Sequence, residues 1–320
     1  MPDNESARSE IRRLANGPAG RRVVWVLLVF MVGFFAVGSS RHWLPTDLVG
    51  PIGAMASPAS VMLKELPQVF IVLVATFIIG YIKHTSVSVY GFPIQRMFGK
   101  QFWLGAAWGF VMLSATIGLM AATHSYKLGS IVLSRLEIVK YGLLWAAAFL
   151  LVGVAEELAF RGYLQYTLTT RMGFWPASIV TCLFFAFAHR NNAGENWIGL
   201  ANIAVIGVFA CLTLRRTGYL WFAVGWHMAF DWGESFFYSV PDSGSLLAGH
   251  LLNASCSGSN WLTGGTAGPE GSVFTVITTV IGAALFALVY PEVGYPQPPG
   301  APSFSRLWRE DGPSDRSAAG

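Results

Sequence analysis

Six charged or titratable side chains that could form a reactive site lie in or at the ends of otherwise apolar stretches of this 320-residue chain. A charged side chain at membrane depth costs about 2.5–3.5 kcal/mol on insertion, so such residues usually face the interior of a helix bundle and serve a function. The six residues are Glu156, Glu157, Arg161, His189, His227 and Asp231.

The two glutamates and the arginine close the apolar stretch 141–154. On a helix, Glu157 and Arg161 are four residues apart and lie on one face, where they can form an ion pair. Glu156 points about 100° away from that pair, which leaves its carboxylate free for chemistry. A purely structural ion pair is the alternative for Glu157 and Arg161.

His227 and Asp231 are also four residues apart, on the apolar segment 219–238, and share one helix face. The aspartate can fix the tautomer and the orientation of that histidine. Glu234 shares the same face, but we interpret it as a solvated residue near the far interface and leave it out of the site. A core histidine with satisfied hydrogen bonds is the alternative for His227.

The depth of Glu156 and His189 can be compared by counting from the turn predicted at Gly173. Glu156 lies sixteen residues before Met172, and His189 lies seventeen residues after it. In an antiparallel helical hairpin the two side chains are therefore level. We expect Glu156, His189 and His227 to meet in one inward-facing cavity.

This set of residues suits hydrolysis by activated water. A carboxylate and an imidazole can share a water molecule and remove its proton, and a second histidine can stabilise an oxyanion. A catalytic zinc site made by Glu156, His189 and His227 is equally compatible with these residue types. No serine or cysteine lies in a recognisable nucleophile motif, so covalent catalysis is disfavoured.

The composition predicts an all-α, polytopic membrane helical bundle. Hydrophobic residues make up 53% of the chain, charged residues only 12%, and the mean hydropathy is +0.51. Soluble domains carry about 25% charged residues. The chain has no basic stripe with interleaved aromatics, so a nucleic-acid partner is not expected. Its three cysteines show no metal-ligand spacing.

The apolar pattern predicts about eight transmembrane helices. A polar arm (1–22) precedes a region of transmembrane helices and loops (23–137), and a disordered tail (291–320) ends the chain; the segments 39–66 and 241–271 are predicted to be loops. The helix over 135–171 is too long for a hydrocarbon core of about 30 Å, so its second half must protrude or follow the interface. The eight spans are 23–37, 69–82, 102–122, the membrane part of 135–171, 174–189, 197–214, 219–238 and 272–290.

Basic residues are distributed unevenly among the predicted loops. About 15 of the 21 lysines and arginines fall on the side that holds both termini. The positive-inside rule then predicts a multi-pass protein of the cell membrane with both termini in the cytoplasm.

Three motifs resemble those of the CPBP intramembrane proteases, also called the CAAX prenyl protease type II or Abi family. The family pattern is Glu-Glu-x-x-x-Arg, then Phe-x-x-x-His, then His-x-x-x-Asn/Asp, on three separate membrane helices. The chain has Glu156-Glu157-Leu-Ala-Phe-Arg161, Phe185-Ala-Phe-Ala-His189 and His227-Met-Ala-Phe-Asp231. The resemblance covers roughly residues 138–290, and segment 263–271 also looks like a loop of bacterial members.

The resemblance implies an endopeptidase that cuts a membrane-embedded or lipidated substrate, with Glu156 and His189 activating water. It implies that His227 and Asp231 stabilise the oxyanion, and that Glu157 and Arg161 hold the site together. Because the third motif ends in Asp231 rather than asparagine, we favour an orienting role toward His227. A non-catalytic membrane adaptor or immunity protein is the alternative, and a proton-coupled transporter is a weaker one because the sequence has no repeated halves.

Overall fold

The computed structural model describes residues 29–36, 55–192, 194–195 and 197–296. The predicted arm 1–22 lies outside the described residues. Only part of the predicted first span and only the beginning of the predicted tail lie within them, and residues 29–36 of that span are helical.

The described chain is mostly helical, which confirms the predicted all-α class. Two short strands, β1 (Tyr126–Lys127) and β2 (Ser255–Cys256), and 3-10 turns at Val87–Tyr90, Ile94–Arg96 and Pro269–Gly271 connect the helices. The helices are α1 (29–36), α2 (Pro58–Lys83), α3 (Lys100–Ala122), α4 (Arg135–Arg161), α5 (Tyr163–Met172), α6 (Phe174–His189), α7 (Trp197–Thr217), α8 (Trp221–Trp232), α9 (Asn260–Thr263) and α10 (Val273–Val289).

The predicted number of eight spans is not confirmed in the described part of the chain. Four helices there are long and apolar enough to cross a membrane: α2, α3, α7 and α4 with its continuation α5. Helices α6 and α10 are apolar but shorter. Helix α8 has only 12 residues and is almost wholly buried. An apolar run of this length does not distinguish a membrane span from a helix that is buried inside a bundle.

Helix α2 corrects the prediction of a loop that reaches Leu66. It begins at Pro58, after a capping box in which Ser57 and Ser60 bond to each other's backbone amides. Pro67 lies inside the helix without ending it. The proline-rich composition of the segment concealed this first part of the helix, which carries a buried carboxylate, Glu65.

The unbroken helix predicted over 135–171 is wrong as well. It breaks at Gly162, whose backbone leaves the helical region with φ −79° and ψ −119°. A Cβ at this position would clash with the carbonyl oxygen of Leu158. The break predicted at Gly173 is confirmed, and its φ of +83° is one that glycine adopts without strain.

Helix α8 occupies the centre of the bundle, where it packs against α3 and α4. Close approach to α3 depends on glycines on both helices, as is common between membrane helices. A Cβ at Gly105 would clash with the carbonyl of Phe222, and one at Gly225 would clash with the carbonyl of Phe102. Side chains of α8 are therefore held in fixed positions relative to both neighbours.

The segment between α8 and α10 folds back against one end of the bundle. Strand β2 pairs with β1 in antiparallel fashion, and Leu247 forms a bridge to Ala56 ahead of α2. The Asn202 side chain on α7 donates hydrogen bonds to the carbonyls of Glu270 and Ser272, at 2.6 and 2.9 Å. This segment is thus fixed at several points.

The packing of α3 against α8 predicts different effects for two glycines on α3. A Cβ at Gly109 would clash with the carbonyl of Trp226, whereas Gly118 has open space around it. We expect Gly109→Ala to lower the free energy of unfolding by about 1–3 kcal/mol because the helices must separate. Gly118→Ala should leave it unchanged or raise it slightly, since alanine is the better helix former. Thermal unfolding in detergent measures both; equal melting temperatures would contradict the close packing.

Candidate active site

The structure brings the six predicted residues to one cavity of about 640 Å³. Five of them line it, and Arg161 lies behind them with 1% of its surface exposed. They come from α4, α6 and α8, the three helices that the motifs predicted. The lining residues of this set are Glu156, Glu157, His189, His227 and Asp231.

Glu156 faces both histidines across the cavity. Its Oε2 lies 4.0 Å from Nε2 of His189 and 3.7 Å from Nε2 of His227. These separations exceed direct hydrogen-bond lengths, and a polar gap of this size is where a bridging water is expected. The prediction that Glu156 and His189 are level in the helical hairpin is therefore confirmed.

The orientation of His189 follows from its position at the end of α6. Its Nδ1 donates a hydrogen bond of 2.8 Å to the carbonyl of Phe185, one helical turn earlier. The ring of Phe185 also makes an edge-to-face contact with the imidazole, with 4.5 Å between ring centroids. Because Nδ1 carries the proton, neutral His189 presents an Nε2 lone pair to Glu156.

Glu157 joins the arginine to a histidine. Its Oε1 accepts from Nη1 of Arg161 at 3.2 Å and from Nδ1 of His227 at 3.1 Å. The guanidinium also lies over the ring of Phe185, 4.1 Å from its centroid, in a cation–π contact. The Glu157–Arg161 pair predicted from spacing is present, and its contact with His227 was not predicted.

Asp231 contacts His227 on the other ring nitrogen. Its Oδ2 lies 3.4 Å from Nε2 of His227. The imidazole is therefore held by carboxylates on both nitrogens, Glu157 on one and Asp231 on the other. The sequence predicts that Asp231 orients His227. In the structure, Glu157 holds the imidazole ring as well.

Several polar residues of the cavity were not predicted. Glu65 of α2 pairs with Lys64 at 3.2 Å and accepts from Gln68 at 2.7 Å. Asp242 and Glu270 reach the cavity from the segment between α8 and α10. The sequence offered no periodic pattern for these loop residues, and Glu65 fell in the segment mistaken for a loop.

The prediction that Glu234 is solvated near the interface is wrong, because the residue is fully buried. It lies in the π-helical turn Gly233–Phe237 that continues α8. The prediction assumed α-helical spacing. A π-helical turn has more residues per turn, so residues after Trp232 do not lie on the faces that α-helical spacing predicts.

Asp242 and Glu270 are acidic groups in a buried part of the loop. Burial raises the pKa of Asp242 to about 6. Burial, with the neighbouring charge of Asp242 as a smaller cause, raises the pKa of Glu270 to about 7. Hydroxyl groups partly offset this effect: Ser235 donates to Asp242 and Ser243 donates to Glu270, both at 2.8 Å.

A comparison with protein-family models finds the family described as Type II CAAX prenyl endopeptidase Rce1-like over residues 138–233. Residues 138–233 match the model of an Rce1-like domain. The family resemblance that the three motifs indicate is thereby confirmed. All three motifs lie within the Rce1-like domain. No curated protein matches the chain. At the family level, the Rce1-like domain is that of a membrane protease.

The two adjacent glutamates of the Rce1-like domain differ in their partners and in their burial. Glu157→Ala should lower the free energy of unfolding by about 3–5 kcal/mol, because Arg161 would stay buried without its ion-pair partner. Glu156→Ala should change it by less than about 1 kcal/mol, since Glu156 is only partly buried. Thermal unfolding in detergent compares the two variants. Equal losses would contradict the separation of a structural from a reactive carboxylate.

Proposed function

We propose that the protein is an intramembrane endopeptidase that hydrolyses a peptide bond of a membrane-embedded or lipidated substrate. Water activated jointly by Glu156 and His189 is the nucleophile. The observation that carries the proposal is the pairing of Glu156 Oε2 with His189 Nε2 across 4.0 Å of an open cavity.

Each member of this pair is prepared for proton transfer. Glu156 accepts a proton from the water, while the Nε2 lone pair of His189 accepts a second hydrogen bond from it. The water oxygen is then oriented toward a substrate carbonyl between α4 and α8. The proton passes from Glu156 to the departing amine as the peptide bond breaks, which makes Glu156 both general base and general acid.

His227 of α8 supports the developing oxyanion. With Glu157 accepting from Nδ1, a doubly protonated His227 directs its Nε2–H into the cavity. Asp231, 3.4 Å from that nitrogen, holds the ring in place. This arrangement supports the orienting role that we expect for Asp231 because the motif ends in aspartate rather than asparagine.

The spacing favours water activation without zinc. Ligand atoms of a tetrahedral zinc site, bound at about 2.0–2.1 Å, lie about 3.4 Å apart. The distances from Glu156 to His189 and His227 are 4.0 and 3.7 Å, wider than that spacing and close to what a shared water requires. This spacing supports the proposed mechanism, in which the glutamate rather than a zinc ion activates the water.

Aromatic side chains support a lipidated or apolar substrate. Phe34 of α1, Phe149 and Phe160 of α4 and Phe185 of α6 line the cavity beside the polar site. Such surfaces favour hydrocarbon over water. We therefore infer that a substrate places an apolar or lipid-modified residue next to the bond that is cut.

The proposed location is the cell membrane, with both termini in the cytoplasm. Helices α2, α5 and α7 each carry basic residues in their last turns, namely Lys83, Arg171 and the pair Arg215 and Arg216. The positive-inside rule supports a cytoplasmic position for these ends.

Removal of either half of the water-activating pair should abolish most of the activity. We expect Glu156→Gln and His189→Ala to reduce kcat/KM by about 10²–10⁴-fold, the usual contribution of general acid–base catalysis. Glu292→Gln, which changes an exposed carboxylate, serves as the matched control. Cleavage of a quenched fluorescent lipidated peptide in liposomes measures all three. Undiminished cleavage by Glu156→Gln or His189→Ala would refute the proposed function.

Chelators can separate carboxylate-activated from zinc-activated water. A nitrogen chelator such as phenanthroline removes transition metals and has little affinity for hard cations such as calcium. We expect cleavage to persist within about twofold after this treatment, because no step of the proposed mechanism requires zinc. Loss of activity with recovery on adding zinc would show instead that Glu156, His189 and His227 bind the metal.

A further inference from the structure

Four carboxylates converge at the end of the cavity near the segment that joins α8 to α10. Each of them offers one oxygen, and these four oxygens all lie within 4.8 Å of one another. They come from different parts of the chain: α8, the π-helical turn, the loop after it and the 3-10 turn Pro269–Gly271. The residues are Asp231, Glu234, Asp242 and Glu270.

Glu234 provides a second observation that is independent of the clustering. It is fully buried, and neither of its carboxylate oxygens has a partner in hydrogen-bonding geometry. The backbone amide of Glu270 is directed toward it. A buried carboxylate that lacks a full set of hydrogen bonds is costly to a folded protein, so this side chain needs a positive ligand or a proton.

The other three carboxylates each keep one oxygen for a ligand. Asp242 uses Oδ2 for Ser235, Glu270 uses Oε2 for Ser243, and Asp231 directs Oδ2 toward His227. Within the described part of the chain, no lysine or arginine forms an ion pair with any member of the cluster. Within the described residues, the cluster thus gathers four acidic groups, of which only Asp231 contacts a basic side chain, that of His227.

We propose that Asp231, Glu234, Asp242 and Glu270 bind one hard divalent cation, for which calcium is the best match. Carboxylate oxygens are the ligands that hard cations prefer. Calcium binds oxygen at about 2.3–2.6 Å, so oxygens on opposite sides of the ion lie about 4.6–5.2 Å apart. The four oxygens, all within 4.8 Å of one another, fit within such a coordination sphere. Magnesium, with bonds of about 2.0–2.1 Å, requires a tighter one.

The site is accessible and already assembled. Asp231, Asp242 and Glu270 line the cavity, so an ion and its remaining water ligands can enter from there, and Glu234 closes the site from behind. The side chain of Asn202 donates a hydrogen bond to the backbone carbonyl of Glu270 and so holds this residue in place. An acidic site on a loop fixed in this way does not need to be organised by the ion.

One residue, Asp231, belongs both to the proposed cation site and to the proposed active site. Asp231 would bind the ion with one oxygen while its other oxygen contacts His227. Glu234, Asp242 and Glu270 lie beyond the matched family segment 138–233, so the family match does not imply this site. A bound ion would fix Asp231, and through it the ring of His227.

The proposal is tested by ion binding to the purified full-length chain in detergent, after metals have been removed with EDTA. Calorimetry with calcium, and in parallel with magnesium and manganese, measures stoichiometry and affinity. We expect one calcium ion per chain and a melting temperature that rises by about 2–4 °C at saturating ion. Glu234→Gln and Asp242→Asn should each weaken binding by about tenfold or more, because each removes one ligand charge.

Two matched control variants test whether calcium binding is independent of the proposed function. Glu65→Gln changes a buried carboxylate that lines the same cavity outside the cluster, and Glu156→Gln removes the proposed base. Both should bind calcium as tightly as the unaltered chain, even where cleavage is lost or was never detected.

Two outcomes would overturn the cation site. One is an unaltered chain that binds none of the three ions and shows no thermal shift. The other is undiminished binding by the cluster variants. If Glu234→Gln does not fold, Asp242→Asn and Glu270→Gln supply the same comparison from the loop.

Discussion

The ion pair between Arg161 and Glu157 is the interaction on which the site depends. A guanidinium cannot lose its charge inside a protein, so an arginine with 1% exposure requires an anion beside it. Glu157 supplies that anion, and the same oxygen accepts from His227. Phe185 of α6 covers the guanidinium and its carbonyl fixes His189. One buried charge pair thereby sets the relative positions of α4, α6 and α8.

The polar interior has two parts: a neutralised half around Arg161 and an acidic half around Glu234. Around Arg161, positive and negative charges are matched by residues of the chain. Around Glu234 the described residues provide acids and hydroxyl groups but no lysine or arginine. Asp231 belongs to both halves, since it contacts His227 and contributes an oxygen to the acidic cluster. An aspartate at this position adds to the second half a negative charge that an asparagine would lack, which favours a bound cation.

The sequence predicted the site better than it predicted the fold around it. Glu156, His189 and His227 could be placed because apolar helices make each charged residue conspicuous, and because helical rise converts residue counts into depth. Glu65, Asp242 and Glu270 could not, since their positions depend on a helix start hidden by prolines and on a loop held by tertiary contacts. Glu234 was misplaced because a π-helical turn changes the angle between successive residues.

The central helix differs from a regular membrane span, and the difference bears on function. Hydropathy counts α8 as a membrane span, yet it is a 12-residue helix surrounded by protein. With the π-helical turn that continues it to Phe237, this helix is about 25 Å long, slightly less than a hydrocarbon core of about 30 Å. The loop that follows therefore begins near membrane depth, where non-helical backbone is tolerated only if it is buried in protein or lines a wet cavity. The polar segment carrying Asp242 and Glu270 does both. The end of the central helix is thus where acidic loop residues and water reach a site between apolar helices.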